Sequence, residues 1–511
     1  MYILSTLYRS LQISSGLLIL LVVYRVLKKR KHNQQFIRDH GCAPAKARPT
    51  KYPFGIDMIR DNLKSLKEHT ALEQYQAEFR HLGCATFWAK QLHLHILFTM
   101  DPENIKSILA TDFKSYSVGE ERNKALKPFL GDGIFTTDGA QWQHSRDMLR
   151  PCFARSQIGD RDLFEHHFQH LLREIPRDGS TVNLQDLFFR LTLDIATEFL
   201  FGTSTYTLLA EKRRPEDDKF VEAFTYVQNT VEGKSGILAL FMPDRRFKRD
   251  CRYIHNWVDA LIERSLASTS AKENQATGRY VLLRELVATT PDKVKIRFEL
   301  LNVLLAGRDT TAALLSDVWW TISREPQVWT HLQKEVQALE TPLGEERPVF
   351  EELKDMNYLR AVLNESLRLH PAVPANSRQA VSDTTLPVGG GKDGKSPVFV
   401  PKGTLVSYTI YAMHRRKDLY GDDAEDFKPD RWLDEGGKKG LRVGWEYLPF
   451  NGGPRICIGQ QFALTEASYI TVRLLQEFDR IESRDQADWQ EKLGLTCTGL
   501  GGCKVSLTAR E

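Results

Sequence analysis

Apolar residues recur at helical spacing through most of this 511-residue chain. LQDLFFRLTLDIATEFLFG (184–202) and MNYLRAVLNESLRLHP (356–371) are two such segments, each predicting a helix. The longest pattern predicts a helix from Asp292 to Arg324, opening after Pro291 and closing before Pro326. It would run on the order of 50 Å, and it is apolar on both faces, as burial in a large core requires. Strand-like pieces are fewer: HLHILFT (93–99) and SPVFVPKGTLVSYTIY (396–411), with GGGKDGK (389–395) as a loop between such pieces. That loop lacks the strand–loop–helix setting and the GK[ST] ending of a phosphate-binding loop, which excludes that reading.

The N-terminus follows another pattern. ISSGLLILLVVY (13–24) is strongly apolar, and VLKKRKH follows within a few residues. With its flanks, from Leu11 to Leu27, it approaches the length that spans a bilayer, with Arg25 at its edge. The basic cluster Arg25, Lys28, Lys29, Arg30 and Lys31 follows the run, so the positive-inside rule puts the next domain in the cytosol. A cleaved signal peptide would carry its charge chiefly before the run and a small-x-small site after it, and neither condition is well met. The expected organisation is a signal-anchor helix over 1–27, a basic linker with Pro44, Pro49 and Pro53 over 28–55, and one large domain over 56–511.

Composition excludes several classes. A chain that is 41% hydrophobic and 27% charged is globular by default, and a formal charge of +4 gives no case for a nucleic-acid partner. Seven scattered cysteines without a CxxC pair argue for a reducing compartment and against a zinc site or a disulfide scaffold.

One cysteine stands in a distinctive setting. In FNGGPRICIG (450–459), Cys457 is spaced from Phe450, Gly453, Arg455 and Gly459. A lone cysteine is ordinarily an inert core residue. Here the glycines allow backbone to approach a flat group, nearby amides can stabilise a thiolate, and Arg455 offers a fixed cation for a carboxylate. The stretch resembles the haem-binding loop FxxGxRxCxG of the cytochrome P-450 superfamily at every signature position. The resemblance implies a mainly α fold with small β-sheets, haem b as cofactor, and Cys457 as the axial thiolate ligand of its iron.

Other motifs follow in the family's order. AGRDTT (306–311) lies mid-helix, where Ala306 and Gly307 thin the wall and a buried acid needs a purpose. It resembles the oxygen-activation motif, which implies Thr310 as partner of oxygen and water and Asp309 as proton relay. NESLR (364–368) and FKPDRW (427–432) resemble the structural triad Glu365, Arg368 and Arg431 that braces the cysteine loop. For the two haem propionates, family-matching positions offer Trp142 and Arg146 one helical turn apart, Arg378, and Arg455.

Below superfamily level, motifs such as PFGID (53–57) and FNGGPRICIGQQFALTEASY (450–469) resemble the fungal alkane and fatty-acid hydroxylases. The implied reaction inserts one atom of dioxygen into a C–H bond of an apolar substrate, terminal or near-terminal on a long aliphatic chain. The alternative is the same chemistry on a specialised metabolite such as a polyketide. By family position the pocket draws on Tyr116–Phe135, Phe220–Leu240, Val373–Asn376 and Thr496–Leu500. No flavin or nicotinamide domain is visible, so the family implies electrons from NADPH through a separate membrane flavoprotein, the NADPH-cytochrome reductase, at the endoplasmic reticulum. Lys438, Lys439 and Arg442 could attract its acidic surface, against the plainer reading of a solvated basic face. A haem-thiolate isomerase or dehydratase would be expected to lose the acid-alcohol pair that is present here. A non-enzymatic haem sensor or carrier is the remaining alternative.

Overall fold

Asp292 opens the long helix around which the molecule is built. Its carboxylate accepts the Val294 and Lys295 amides at 3.0 and 3.1 Å, satisfying two donors that a helix start leaves unpaired. The helix runs from Lys293 to Ile322, is buried over most of its length and ends at Ser323, ahead of Pro326. The structure, a computed structural model, describes residues 2–92, 94–153, 161–231, 244–268, 281–339, 348, 350–434 and 439–510, with side chains from 14 onwards except at 268.

The Leu184–Phe201 helix packs along the long helix and closes at Gly202 in the left-handed region, φ +71°. A polar tie fixes their register: Thr192 Oγ1 donates to the Arg308 carbonyl at 2.8 Å. The Asn357–Leu369 and Gln460–Glu477 helices pack on the same long helix. Strands are short and peripheral. One mixed sheet runs in the order Lys46–Ala47, Thr86–Gln91, Leu94–Thr99, Leu405–Thr409, Ala375–Ala380, Tyr116–Ser117. Its Ala375–Ala380 strand pairs Asn376 with Tyr408 and Arg378 with Val406, which sets both polar side chains at the cavity described below. GGGKDGK lies at the end of the Thr384–Gly390/Ser396–Val400 hairpin. The fold is thus mainly helical with small sheets, as the sequence pattern implies.

The first helix spans Tyr2–Asp39, so it contains the apolar run and continues through the basic cluster. Its side chains from Leu17 to Leu27 include ten large apolar ones that are 45–66% exposed. Among the described residues no helix is long and apolar enough to cross a membrane. The last turns rest on the domain, with the Phe36 ring 5.0 Å from that of Phe399 and His32 Nε2 3.1 Å from Asp383 Oδ2.

Deep in the long helix, Asp317 accepts the Trp489 indole N–H at 2.9 Å and faces no counter-charge among the groups acting on it. Burial raises its pKa to about 8. Folded protein therefore holds a proton that the unfolded chain releases above about pH 4. Stability present at pH 4 is lost as pH rises toward 8. Asp317→Asn is expected to flatten that dependence, so that its denaturant midpoint gains on wild type steadily from pH 5 to pH 8, by a few kcal/mol at the upper end. Parallel pH dependences for the two proteins would contradict this.

Candidate active site

The cysteine loop is built by backbone constraints on both sides of Arg455. Gly453 starts a single 3₁₀ turn at φ +66°, and a Cβ there would lie 1.9 Å from the Leu109 carbonyl oxygen. The neighbouring chain at Leu109–Ala110 by itself requires glycine here. A Cβ at Gly459 would make only ordinary contacts, 3.7 Å from Phe153 and 4.0 Å from Cys457 Sγ. The Cys457 amide donates to the Phe450 carbonyl at 3.0 Å, closing the loop. Asn451, left-handed at φ +63°, accepts the Tyr408 hydroxyl at 3.2 Å and ties the loop to the mixed sheet.

Cys457, Phe450, Arg455 and Gly459 line one cavity with Ala306, Gly307 and Thr310 of the long helix. Cys457 is exposed to that interior while protein packs closely about it. Burial pushes its thiol above the ordinary value, and the Gly459 N–H and the Arg146 guanidinium oppose that push. A soft thiol held this way needs a positive centre before it ionises.

Trp142, Arg146, Arg378 and Arg455 line the same cavity. Arg455 donates to Asp138 Oδ1 at 2.6 Å and to the Thr137 carbonyl at 2.9 Å, with its guanidinium 4.4 Å from the Trp142 ring centroid. Burial lowers its pKa to about 10, with Asp138 opposing and Arg378, Arg122 and Arg146 adding to the fall. Arg146 donates to the Ile456 carbonyl at 3.0 Å, beside Cys457. Arg378 donates to the Ser377 carbonyl at 2.7 Å and to Asn376 Oδ1 at 3.1 Å. Asn376 Oδ1 also accepts from Arg122 at 2.9 Å. Arg122 carries no sequence motif and escaped the sequence reading, as did Asp138. Three guanidiniums, those of Arg378, Arg122 and Arg146, thus act on Arg455, and the Asp138 carboxylate opposes them. Such an arrangement suits a flat ligand carrying two carboxylates at one edge, with a single thiol beneath it.

The long helix divides its motif between two directions. Thr310 lines the cavity and donates to the Ala306 carbonyl one turn back at 2.7 Å. Asp309 points elsewhere: it is buried, lies outside the cavity wall, accepts from Gln228, and sits 3.4 Å from Arg308 Nε. Burial raises its pKa. Of the expected substrate segments, Val118–Phe135, Val373, Asn376 and Thr496 contribute wall residues. Phe220–Val231 does not: Phe220 and Phe224 are spent in the core, Phe220 stacking on Trp257 at 3.9 Å. Residues 232–240 of that expectation lie outside the described residues, as does Lys438. Lys439 is exposed, and Arg442 is paired bidentately with Asp434 at 2.6 and 2.8 Å.

Beneath the loop, Glu365, Arg368 and Arg431 meet as expected. Arg368 Nε and Nη2 each reach Glu365 at 2.8 Å, and Arg431 Nε reaches it at 2.8 Å. Trp432 and the Lys428 amide complete the carboxylate's partners at 2.9 Å. His414, unassigned by the sequence reading, carries this brace to the loop. It receives the Leu448 amide on Nε2 at 3.0 Å, so its Nδ1–H donates to the Arg368 carbonyl at 3.0 Å.

Comparison with known proteins agrees with this geometry. Residues 58–499 match the family profile described as Cytochrome P450. Cytochrome P450 monooxygenase himC of Aspergillus japonicus is 43% identical over 504 residues, covering 96% of this chain and 88% of its own. Cytochrome P450 52A3-A of Candida maltosa is 44% identical over 449 residues, 85% of each chain. The crystal structure of cytochrome P450DA heme domain is similar at a TM-score of 0.76 and 22% identity, covering 92% of this chain and 98% of that one, which shows a shared fold. With the profile matched across most of its length and these relatives aligned over nearly all of it, the chain belongs to the cytochrome P450 family.

Proposed function

We propose that this protein hydroxylates long-chain fatty acids or alkanes at or near the terminal carbon, on the cytosolic face of the endoplasmic reticulum. One observation carries the reading: Cys457, Thr310 and a cluster of guanidiniums line a single cavity whose remaining wall is largely Leu, Ile, Val and Phe. An apolar wall favours an aliphatic substrate, and polar groups are concentrated at the cofactor end. The resemblance to fungal alkane and fatty-acid hydroxylases favours the same class. A second reading keeps the chemistry but takes a specialised metabolite such as a polyketide, favoured by Asn376 and Thr496 in the substrate-facing segments.

When bound, haem b supplies the activation of dioxygen, with electrons from NADPH through a separate reductase, as is typical of the family. The chain's own groups hold and surround it. Cys457 is the proposed iron ligand. Arg146, Arg378 and Arg455, with the Trp142 indole, are the proposed partners of the two carboxylates, and Arg122 joins them by position. Ala306 and Gly307 keep the helix wall thin where oxygen and substrate must share space, and Phe450 packs the edge of the loop. Thr310 is the proposed hydroxyl facing oxygen, able to turn from the Ala306 carbonyl. Membrane attachment is proposed through the first helix, whose exposed apolar face from Leu17 to Leu27 precedes a basic cluster. Phe54, Ile56, Leu63 and Leu66 add further exposed apolar surface on the domain.

Arg455→Leu removes charge-assisted hydrogen bonds worth about 1.5–3 kcal/mol. It is expected to weaken haem retention about ten- to hundredfold, read as faster transfer of haem to an acceptor protein. Arg455→Lys should recover part of the loss, and retention equal to wild type in both variants would remove Arg455 from the site. For substrate, membranes carrying this protein and a reductase are offered fatty acids, alkanes and polyketide-like acids together. Terminal or near-terminal alcohols that require NADPH are expected. Oxidation of the polyketide-like acids alone would favour the second reading.

A further inference from the structure

Asn302 belongs to no motif, yet it is fully buried and lines the cavity from the long helix, two turns before Thr310. Its Nδ2 group donates to the Leu130 carbonyl at 3.0 Å and to the Phe298 carbonyl at 2.7 Å. Its Oδ1 accepts the Phe135 amide at 3.2 Å. One side chain therefore grips both ends of the 130–135 segment, which leaves the Glu120–Leu130 helix and brings Ile134 and Phe135 into the cavity wall. The contact is close. A Cβ at Gly133 would lie 2.3 Å from Asn302 Nδ2 and 2.7 Å from its Cγ. Gly133 is not in the left-handed region, so it is the Asn302 amide that excludes a side chain there.

The segment is stiff in itself. Thr136 Oγ1 accepts the Gly133 amide at 2.9 Å and donates to the Gly131 carbonyl at 2.7 Å, and Thr137 Oγ1 donates to the Gly133 carbonyl at 2.8 Å. A stiff segment moves as a unit, so the depth at which Ile134 and Phe135 enter the cavity depends on where it is fastened. Arg455 fastens it to the cysteine loop through the Thr137 carbonyl at 2.9 Å. Lys295 adds a 3.4 Å contact to the Asp132 carbonyl on the exposed side. Asn302 fastens it to the long helix inside the cavity.

We infer that Asn302 is a positioning residue that sets the depth of the Ile134–Phe135 wall and thereby selects which carbon of an aliphatic chain is oxidised. The inference rests on the fatty-acid or alkane reading above. The methylenes of such a chain are chemically alike and offer no hydrogen bond, so only the shape of an apolar wall can choose among them. Misplacing one methylene in an apolar pocket changes discrimination about 10- to 200-fold. A wall that shifts by about one carbon–carbon spacing therefore changes the product.

The test uses the haem-loaded full chain as wild type, N302A, G133A and the N302A/G133A double variant. Two quantities are measured: hydrogen–deuterium exchange of peptides covering 130–137, and the ratio of terminal to in-chain alcohols formed from dodecanoate in reductase-supported turnover. Exchange at the Phe135 amide should quicken about tenfold in N302A, the ratio that one buried hydrogen bond carries. G133A should do the same, because its added methyl displaces the Asn302 amide without altering that residue. The alcohol ratio should move about tenfold in both single variants. The double variant should match N302A, since removing the amide leaves room for the methyl. Wild-type exchange in both single variants overturns the inference, as does faster exchange with an unchanged alcohol ratio. Additive shifts in the double variant also overturn it, because the two positions would then act independently. A wild type that forms no dodecanoate alcohol defeats the proposed function and the carbon-selecting role together, whereas unaltered exchange defeats the wall contact alone. Should N302A fail to fold, G133A carries both measurements.

Discussion

The interaction on which the rest depends is the fully buried Arg368. A guanidinium with no exposure is tolerated only if its charge is met and its donors are used. All five N–H groups have acceptors: both oxygens of Glu365 and the carbonyls of His414, Ala424 and Asp426. The carbonyls bind 414–426 to the Asn357–Leu369 helix, and Arg431 and Trp432 return to the same carboxylate. His414 extends the order one step further. Burial lowers its pKa to about 3, so it stays neutral, donates from Nδ1 and accepts the Leu448 amide on Nε2. Leu448 lies two residues before Phe450, where the cysteine loop begins. Removing one partner from such a buried network costs about 3–5 kcal/mol and would release the loop as well as the helix.

A second constraint is electrostatic and sits above the loop. Burial, with Arg378, Arg122 and Arg146 nearby, lowers the pKa of Arg455 to about 10 despite Asp138. Like charges gathered in a poorly solvated place are unfavourable unless anions join them. A flat cofactor with two carboxylates answers this need while bringing a positive iron to a thiol that burial otherwise keeps protonated. The cation cluster and the lone thiol are therefore complementary demands on one ligand. The long helix faces them with small residues and a hydroxyl, and its register is fixed by the Thr192 contact to the Arg308 carbonyl.

Much of this was legible in the sequence because it depends on local pattern. The long helix was readable from its prolines and its apolar faces, and the loop from five spaced residues. The triad was readable by resemblance, and all three members meet. What was not legible depends on direction. Asp309 and Thr310 are adjacent in sequence, yet about 100° of helical rotation sends one to the cavity and the other to Gln228. Gly453 looked like room for a ligand, whereas its neighbour is the Leu109 carbonyl, more than 300 residues away. Phe220 and Phe224 had the composition of a substrate wall and were taken by the core. Arg122, Asp138 and His414 have no local signature, because each acquires its role from partners that only the tertiary fold brings near.

The central claim is that Cys457 binds the haem iron, and the most direct measurement is the spectrum of the reduced, carbon monoxide-treated full-length protein. Wild type should show the thiolate-type absorption. Cys457→Ala should abolish it, either through loss of haem or through binding without sulfur. A thiolate-type spectrum that survives in Cys457→Ala would contradict the account, and the ligand would then have to be sought among the other six cysteines.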